Sequence, residues 1–306
     1  MGERSDRKST IVRANLRARV QRGLLAGGGR WVPGLGARLA VRMWFTVPAA
    51  PPATARPALA EPGSAVTVRT EGPRPGWFVT ESWGASGSGP AVYLLHGWGG
   101  WRGQLGAFVA PLVRAGYRVV AVEVPGHGDS HPGYGARSGA MIVFGAALGA
   151  AIRHHGPAHA VVAHSIGGAA AAVAVLDGLP VRRLVTIAAP TDPRAVVDIW
   201  TAMAGVGPRV QARMPRLIER RVHAPLSQFD IVARAAECED LPSALVIHDG
   251  QDKEVPFGHG ARIAAAWPDA RLHVTHGLGH RRILRDPDVI REVTGFVSEA
   301  LVPAEA

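Results

Sequence analysis

Cysteine is almost missing: Cys238 is the single thiol in 306 residues. One thiol cannot close an internal disulfide, so nothing in the chain calls for an oxidising compartment. Glu237 and Glu239 flank it, a setting that blunts thiol reactivity, and no role is expected for it. Also missing is any run of about 18 apolar residues free of charge, so no membrane-spanning helix is expected. The best apolar run for a signal peptide, residues 39–47, is broken by Arg42 and comes late. The expected location is therefore the cytoplasm. No repeat period of the solenoid or propeller kind is present. No spacing of His, Cys and acids suggests a metal, and no cofactor is expected. Acids are scarce at one end: residues 1–60 hold Glu3 and Asp6 against eleven Arg and Lys, a net +9 of the total +10. The rest of the chain is close to neutral, so the basic character says little about a substrate.

What is present is enough apolar material, 47% of residues, for one large domain with a core. In residues 11–25, Val12, Leu16, Val20 and Leu24 recur four apart with arginines between them, which predicts a helix stopped by Gly27-Gly28-Gly29. A second short helix is expected over 35–47, and a Pro/Ala-rich linker over 48–62. From Ser64 strands alternate with helices. Two antiparallel strands (65–70, 77–83) precede buried strands at 91–95, 118–124, 159–164, 181–188, 244–248 and 271–275. Helices are expected at 104–114, 136–154, 166–176, 260–267 and 287–301. Such alternation predicts an α/β fold, with a mostly parallel sheet covered on both faces. Between Pro190 and Leu241 the alternation stops. Fifty helical residues are too many for a connection, so 191–240 reads as a lid insertion into a domain spanning 64–302. Residues 1–63 are the basic arm and linker.

Four segments carry chemistry. In Val161-Val162-Ala163-His164-Ser165-Ile166-Gly167-Gly168 an apolar strand runs straight into a serine, with small residues two before and two after it. A nucleophile on a tight strand-to-helix turn needs that spacing; a serine that merely caps a helix gives a similar pattern. Leu94-Leu95-His96-Gly97-Trp98-Gly99-Gly100 ends an earlier strand in a glycine-rich turn. Acyl transfer needs two backbone N–H donors at the developing oxyanion, and Ile166 and Trp98 are the candidates. A phosphate loop is excluded, since neither Gly-Lys-Ser/Thr nor G-x-G-x-x-G follows. Val246-Ile247-His248-Asp249-Gly250-Gln251-Asp252-Lys253-Glu254 ends a strand in acids. Asp252, Asp249 and Glu254 are the candidates there, each also a plausible turn former. Gly277-Leu278-Gly279-His280 places a histidine on a glycine loop after the last strand. The order Ser, Asp, His along the chain suits a hydrolytic triad.

With Pro125-Gly126-His127-Gly128-Asp129-Ser130 added, residues 64–302 resemble the α/β-hydrolase superfamily of serine hydrolases and esterases. The resemblance implies Ser165 as nucleophile, His280 as general base and Asp252 as its orienting acid. Asp252 is preferred over Asp249 because the family's acid lies four residues after the strand-end histidine and before a Val-Pro, here Val255-Pro256. Two departures appear: Glu123 where the family often has Asp, and Asp249 where it usually has Gly. His127 and His164 are read as packing residues of their turns. His154-His155 reads as a helix end, where a cation or a cap donor is favourable. Trp98 and Trp101 either line an acyl pocket as substrate-binding residues or belong to the core.

The expected function is hydrolysis of a small-molecule carboxylic ester or thioester through an acyl-enzyme. Carbon–carbon hydrolysis or perhydrolysis on the same triad is the alternative within enzymes. A non-catalytic binder on a hydrolase scaffold is the alternative outside them. Dehalogenase and epoxide hydrolase chemistry needs Asp at the elbow, where this chain has Ser165. The arm over 11–47 is apolar on one side and Arg-rich on the other, so peripheral contact with an acidic membrane is one reading and packing on the domain the other. No nucleic-acid partner is expected, since the arm lacks interleaved aromatics. The oligomeric state is left open.

Overall fold

The computed structural model describes residues 32–48, 62–70, 76–84, 89–131 and 141–299. The helix expected over 11–25, most of the linker over 48–62 and the first residues of the helix expected over 136–154 lie outside the described residues. The chain divides into two compact units, one of residues 46–193 and 227–299, the other of 32–45 and 194–226.

The larger unit is built on an eight-stranded sheet. Its strands are β1 (Ser64–Thr70), β2 (Gly76–Trp83), β3 (Ala91–Leu95), β4 (Arg118–Glu123), β5 (Ala158–His164), β6 (Val181–Ile187), β7 (Ser243–Asp249) and β8 (Ala270–Thr275). Their order is β1-β2-β4-β3-β5-β6-β7-β8. β1 pairs antiparallel with β2 and β2 with β4, and every later pair is parallel. Each expected strand is present, with ends within about a residue of the expected ones. β3 is buried throughout, and β4 to β7 are buried but for one or two residues at their starts. That burial on both faces is what continuous Val/Ala/Leu runs allow.

Alternation along the strands splits the core into two layers. Val92, Leu94, Val119, Ala121, Val162, Val185, Ile187, Leu245 and Ile247 face one way. They form one apolar cluster with Leu105, Phe108 and Leu112 and with Val289, Val293 and Phe296. The intervening strand residues face the opposite layer of helices. A single helix is expected over 104–114; the chain instead makes a 3₁₀ helix (Arg102–Phe108) running into α2 (Val109–Arg114), with Leu105 off helical geometry at φ −96°, ψ 21°. Gly103 and Gly106 weaken the helix, and Pro111 has no N–H to give to its first turn. The remaining helices of this unit are α3 (Met141–His155), α4 (Ile166–Leu176), α8 (Ile231–Ala235), α9 (Gly258–Ala266), α10 (Gly279–Arg282) and α11 (Pro287–Ser298).

The smaller unit joins α1 (Pro33–Trp44) to α6 (Pro208–Gln211), α7 (Met214–Val222) and, from Arg194 on, α5 (Pro193–Ala204). α1 buries Ala37, Ala40 and Val41, and Phe45 beyond its end is 2% exposed. Trp44 meets Trp200 edge-to-face at 5.6 Å, and the Arg221 guanidinium lies 4.9 Å over the Phe45 ring. The helix of the arm packs with the insertion helices, while Ser227 to Asp240 of the insertion group with the sheet. Among the described residues no helix is long and apolar enough to cross a membrane.

Candidate active site

The sharpest feature of the backbone is Ser165. It sits between β5 and α4 at φ 55°, ψ −128°, in a region a side-chain-bearing residue enters at a cost of about 1–3 kcal/mol. Its own N–H is tied to the Ile187 carbonyl at 2.8 Å, which helps hold the turn. The spacing of small residues has a direct cause. A Cβ on Gly167 would stand 2.2 Å from the His96 carbonyl oxygen, and one on Gly168 would stand 3.0 Å from the Ala189 Cβ. Ala163, where the motif has glycine in its common form, fits fully buried.

His280 lies against this serine. Its Nδ1 is 2.7 Å from Asp252 Oδ2 and its Nε2 is 3.0 Å from Ser165 Oγ. A carboxylate accepts, so Nδ1 carries the proton and Nε2 offers its lone pair to the serine O–H. The Asp252 carboxyl is itself braced: Oδ1 accepts from the N–H groups of Glu254 (2.8 Å) and Val255 (3.0 Å). Burial works to raise its pKa, but the bonds from His280 and from those amides prevail and hold it below the ordinary carboxylate value. Asp252 is thus an anion at neutral pH. The three residues drawn from β5, β7 and the loop after β8 meet at the C-terminal edge of the sheet.

Asp249 and Glu254 stand elsewhere. Asp249 is fully buried and aims Oδ2 at the Thr275 hydroxyl (2.8 Å) and the Leu278 N–H (2.9 Å), with Oδ1 on the Gln251 N–H (2.9 Å). Burial would raise its pKa, yet these donors keep it low. It therefore ties β7 to the loop that carries His280. Glu254 turns outward to an exposed ion pair with Arg281.

The glycine loop after β3 passes directly beside the nucleophile: a Cβ on Gly97 would lie 3.0 Å from the Ser165 Cβ. Gln104 Oε1 takes the Gly97 N–H at 3.0 Å, and the Gly97 carbonyl accepts from Gly100 N–H and from His96 Nδ1. Among the described residues the N–H groups of Trp98 and Ile166 are matched to no acceptor. The Trp98 ring stands edge-on to His127 at 5.8 Å, and the Trp101 ring covers Gly103. Behind the loop, Arg102 joins Glu81 (2.8 Å), the fully buried Glu123 (3.0 Å) and Asp129 (2.8 Å). Glu123, the departure from the family pattern, reaches far enough to bind this guanidinium and the Asp129 N–H together. Arg102 carries no motif, and only its position two residues past Gly100 points to it.

His96, His127 and His164 are buried and neutral. Val124 N–H donates to His96 Nε2 (3.1 Å), so His96 Nδ1 bears the proton; burial and neighbouring His127 push its pKa down to about 3. Burial likewise brings His127 to about 4 and His164 to about 3. His164 donates from Nε2 to the His280 carbonyl at 2.9 Å. His155 ends α3, where a cation is one expectation; instead burial pulls it to about 4, and its Nε2 pairs with Thr80 Oγ1 at 2.8 Å.

A sequence model of the alpha/beta hydrolase fold matches residues 90–233. The chain is 26% identical to a 2-hydroxy-6-oxononadienedioate/2-hydroxy-6-oxononatrienedioate hydrolase of Cupriavidus pinatubonensis, a match covering 62% of this chain and 80% of that protein. Among solved structures it is similar to a bromoperoxidase from Bacillus anthracis (TM-score 0.57, 18% identity, 76% of this chain and 99% of that one). It is also similar to an esterase from Rhodococcus sp. ECU1013 (TM-score 0.56, 18% identity, 77% and 98%). Fold and family match agree: the chain has the α/β-hydrolase fold and is an enzyme of the hydrolase class.

Proposed function

We propose that this protein is a serine hydrolase that cleaves a carboxylic ester or thioester through a covalent acyl-enzyme. The observation that carries the reading is the unbroken line Ser165 Oγ, His280 Nε2, His280 Nδ1, Asp252 Oδ2, joined at 3.0 and 2.7 Å. His280 takes the hydroxyl proton as Ser165 attacks the substrate carbonyl, and Asp252 stabilises the imidazolium that forms. The N–H groups of Trp98 and Ile166 receive the oxyanion, each donor contributing roughly 3 kcal/mol of barrier reduction. His280 then hands its proton to the leaving oxygen or sulfur. Water repeats the sequence on the acyl-enzyme and restores the serine. Trp98 and Trp101 are assigned to substrate contact.

The test combines a fluorophosphonate probe with p-nitrophenyl esters of graded chain length. The wild type labels and turns over at least one ester, while Ser165→Ala loses labelling and on the order of 10⁶ of turnover. A wild type that fails to label, or an alanine variant that labels equally, returns the protein to the class of binders on a hydrolase scaffold. A second reading, hydrolysis of a carbon–carbon bond next to a ketone, is favoured by the similarity to the Cupriavidus 2-hydroxy-6-oxononadienedioate hydrolase. Loss of conjugated absorbance from a 2-hydroxy-6-oxo-dienoic acid, faster than any ester is cleaved, selects it.

A further inference from the structure

Charge divides between the two units in a way the linear sequence conceals. The described residues of the smaller unit, 32–45 and 194–226, hold eight arginines against Asp198 and Glu219, a net +6. Those of the larger unit hold fifteen Arg and Lys against seventeen acids, a net −2. Pairing differs as well. In the larger unit six of the fifteen, Arg102, Arg183, Arg234, Arg271, Arg281 and Arg291, pair with carboxylates among the described residues. In the smaller unit both acids are engaged by neutral donors: Asp198 by the Gln211 amide at 2.7 Å and Glu219 by the Leu226 N–H at 3.1 Å. Among the described residues Arg194, Arg209, Arg213, Arg216 and Arg220 are exposed and have no carboxylate within ion-pair distance.

These arginines are ordered, not scattered. Arg213, Arg216 and Arg220 fall at i, i+3 and i+7 on α7 and the residue before it, so they share one helix face. Met214 and Ile218 bury the opposite one. On α1, exposed Leu35 shares its face with exposed Arg38 by the same spacing. The unit also shows large apolar side chains to solvent: Val32 is 57% exposed, Leu35 64% and Met203 67%. Uncompensated arginines beside exposed aliphatic side chains are the composition that an anionic lipid surface binds, because headgroup charge and the acyl boundary are met together.

We propose that this helical unit docks the enzyme on membranes rich in anionic phospholipid, with the insertion helix α7 as part of the contact face. The inference does not depend on the catalytic reading. It moves the centre of contact from the arm, where the sequence pattern had put it, to a face built by both segments.

The experiment is co-sedimentation of the full chain with vesicles of phosphatidylcholine alone and of phosphatidylcholine mixed with phosphatidylglycerol, across a salt series. Sedimentation with the mixed vesicles only, released by salt, is expected. One arginine near such a surface changes partitioning about fivefold, so Arg213→Gln/Arg216→Gln/Arg220→Gln weakens it on the order of a hundredfold. Circular dichroism of that variant matches the wild type; should it misfold, Arg194→Gln/Arg209→Gln is the deciding variant, with a loss of about 25-fold. Equal binding to both vesicle types, undiminished binding of the folded variants, or no sedimentation at all overturns the proposal. So does tighter retention by duplex DNA than by the mixed vesicles at the same salt.

Discussion

His164 shows how a residue that reads as packing acquires a task. It precedes the nucleophile, is 2% exposed, and its ring lies 4.7 Å from that of His280. Because its Nε2 donates to the His280 carbonyl, it fixes the backbone from which the base projects. Nothing in the local sequence reveals that bond, since the partner is 116 residues away. Ser165, Asp252 and His280 were legible for the opposite reason: each follows a strand end in a recognisable run of glycine or acid. If His164 is a positioning residue, His164→Phe keeps the ring volume but loses the donor. kcat should fall about tenfold with little change in KM, a cost in line with one misplaced catalytic group. His164→Gln, whose side-chain amide can still donate, should recover most of it. Equal loss in both variants would mark His164 as a matter of shape alone.

At the scale of elements, the site is three loops held in register by side chains that belong to the neighbouring loop. Gln104 fixes the Gly97 turn, Arg102 joins the strand ends of β2 and β4 to the turn at Asp129, and Asp249 joins β7 to the loop after β8. The strands were legible from apolar runs bounded by Gly and Pro, because burial on both faces dictates such runs locally. The bracing was not, because hydrogen bonds spanning 26 and 29 residues leave no periodic trace. Asp249 was weighed as a turn former or a rival acid; it is a tie between elements. Asp249→Ala leaves the Thr275 hydroxyl and the Leu278 N–H without an acceptor in a buried place. Each such group costs about 1–3 kcal/mol, so chemical denaturation should show a loss of roughly 2–6 kcal/mol, with lower ester turnover as the His280 loop loosens. Asp249→Asn keeps an oxygen for both donors and should lose less than half as much. A stable, fully active Asp249→Ala would show that the loop needs no such tie.

For the molecule as a whole, a line of neutral buried histidines sets how stability responds to acid. The rings of His96 and His127 lie 4.9 Å apart and tilted, and His164 lies at the neighbouring strand end; all three are 1–2% exposed. Their folded pKa values, about 3, about 4 and about 3, lie below the 6.5 of a free histidine. The unfolded chain therefore binds protons first as pH falls. Their stabilising contribution is complete above about pH 6.5 and is withdrawn as pH drops toward the folded values, each histidine removing up to about 1.4 kcal/mol per pH unit. Asp249 and Asp252 act in a lower window: their carboxyls are held below the ordinary value, so their contribution persists until pH passes below about 4. Thermal melting should thus begin to decline between about pH 6.5 and pH 5, before the contribution of Asp249 and Asp252 is lost. His127→Phe tests the cause, since His127 already packs among Phe144, Trp98 and His96 and its Nε2 has no partner among the described residues. That variant should flatten the decline between pH 6.5 and 5 while leaving the steeper fall below pH 4 in place. A wild-type melting temperature that stays level down to pH 4.5, or a variant with an unchanged slope, would mean that these rings are not what acid attacks first.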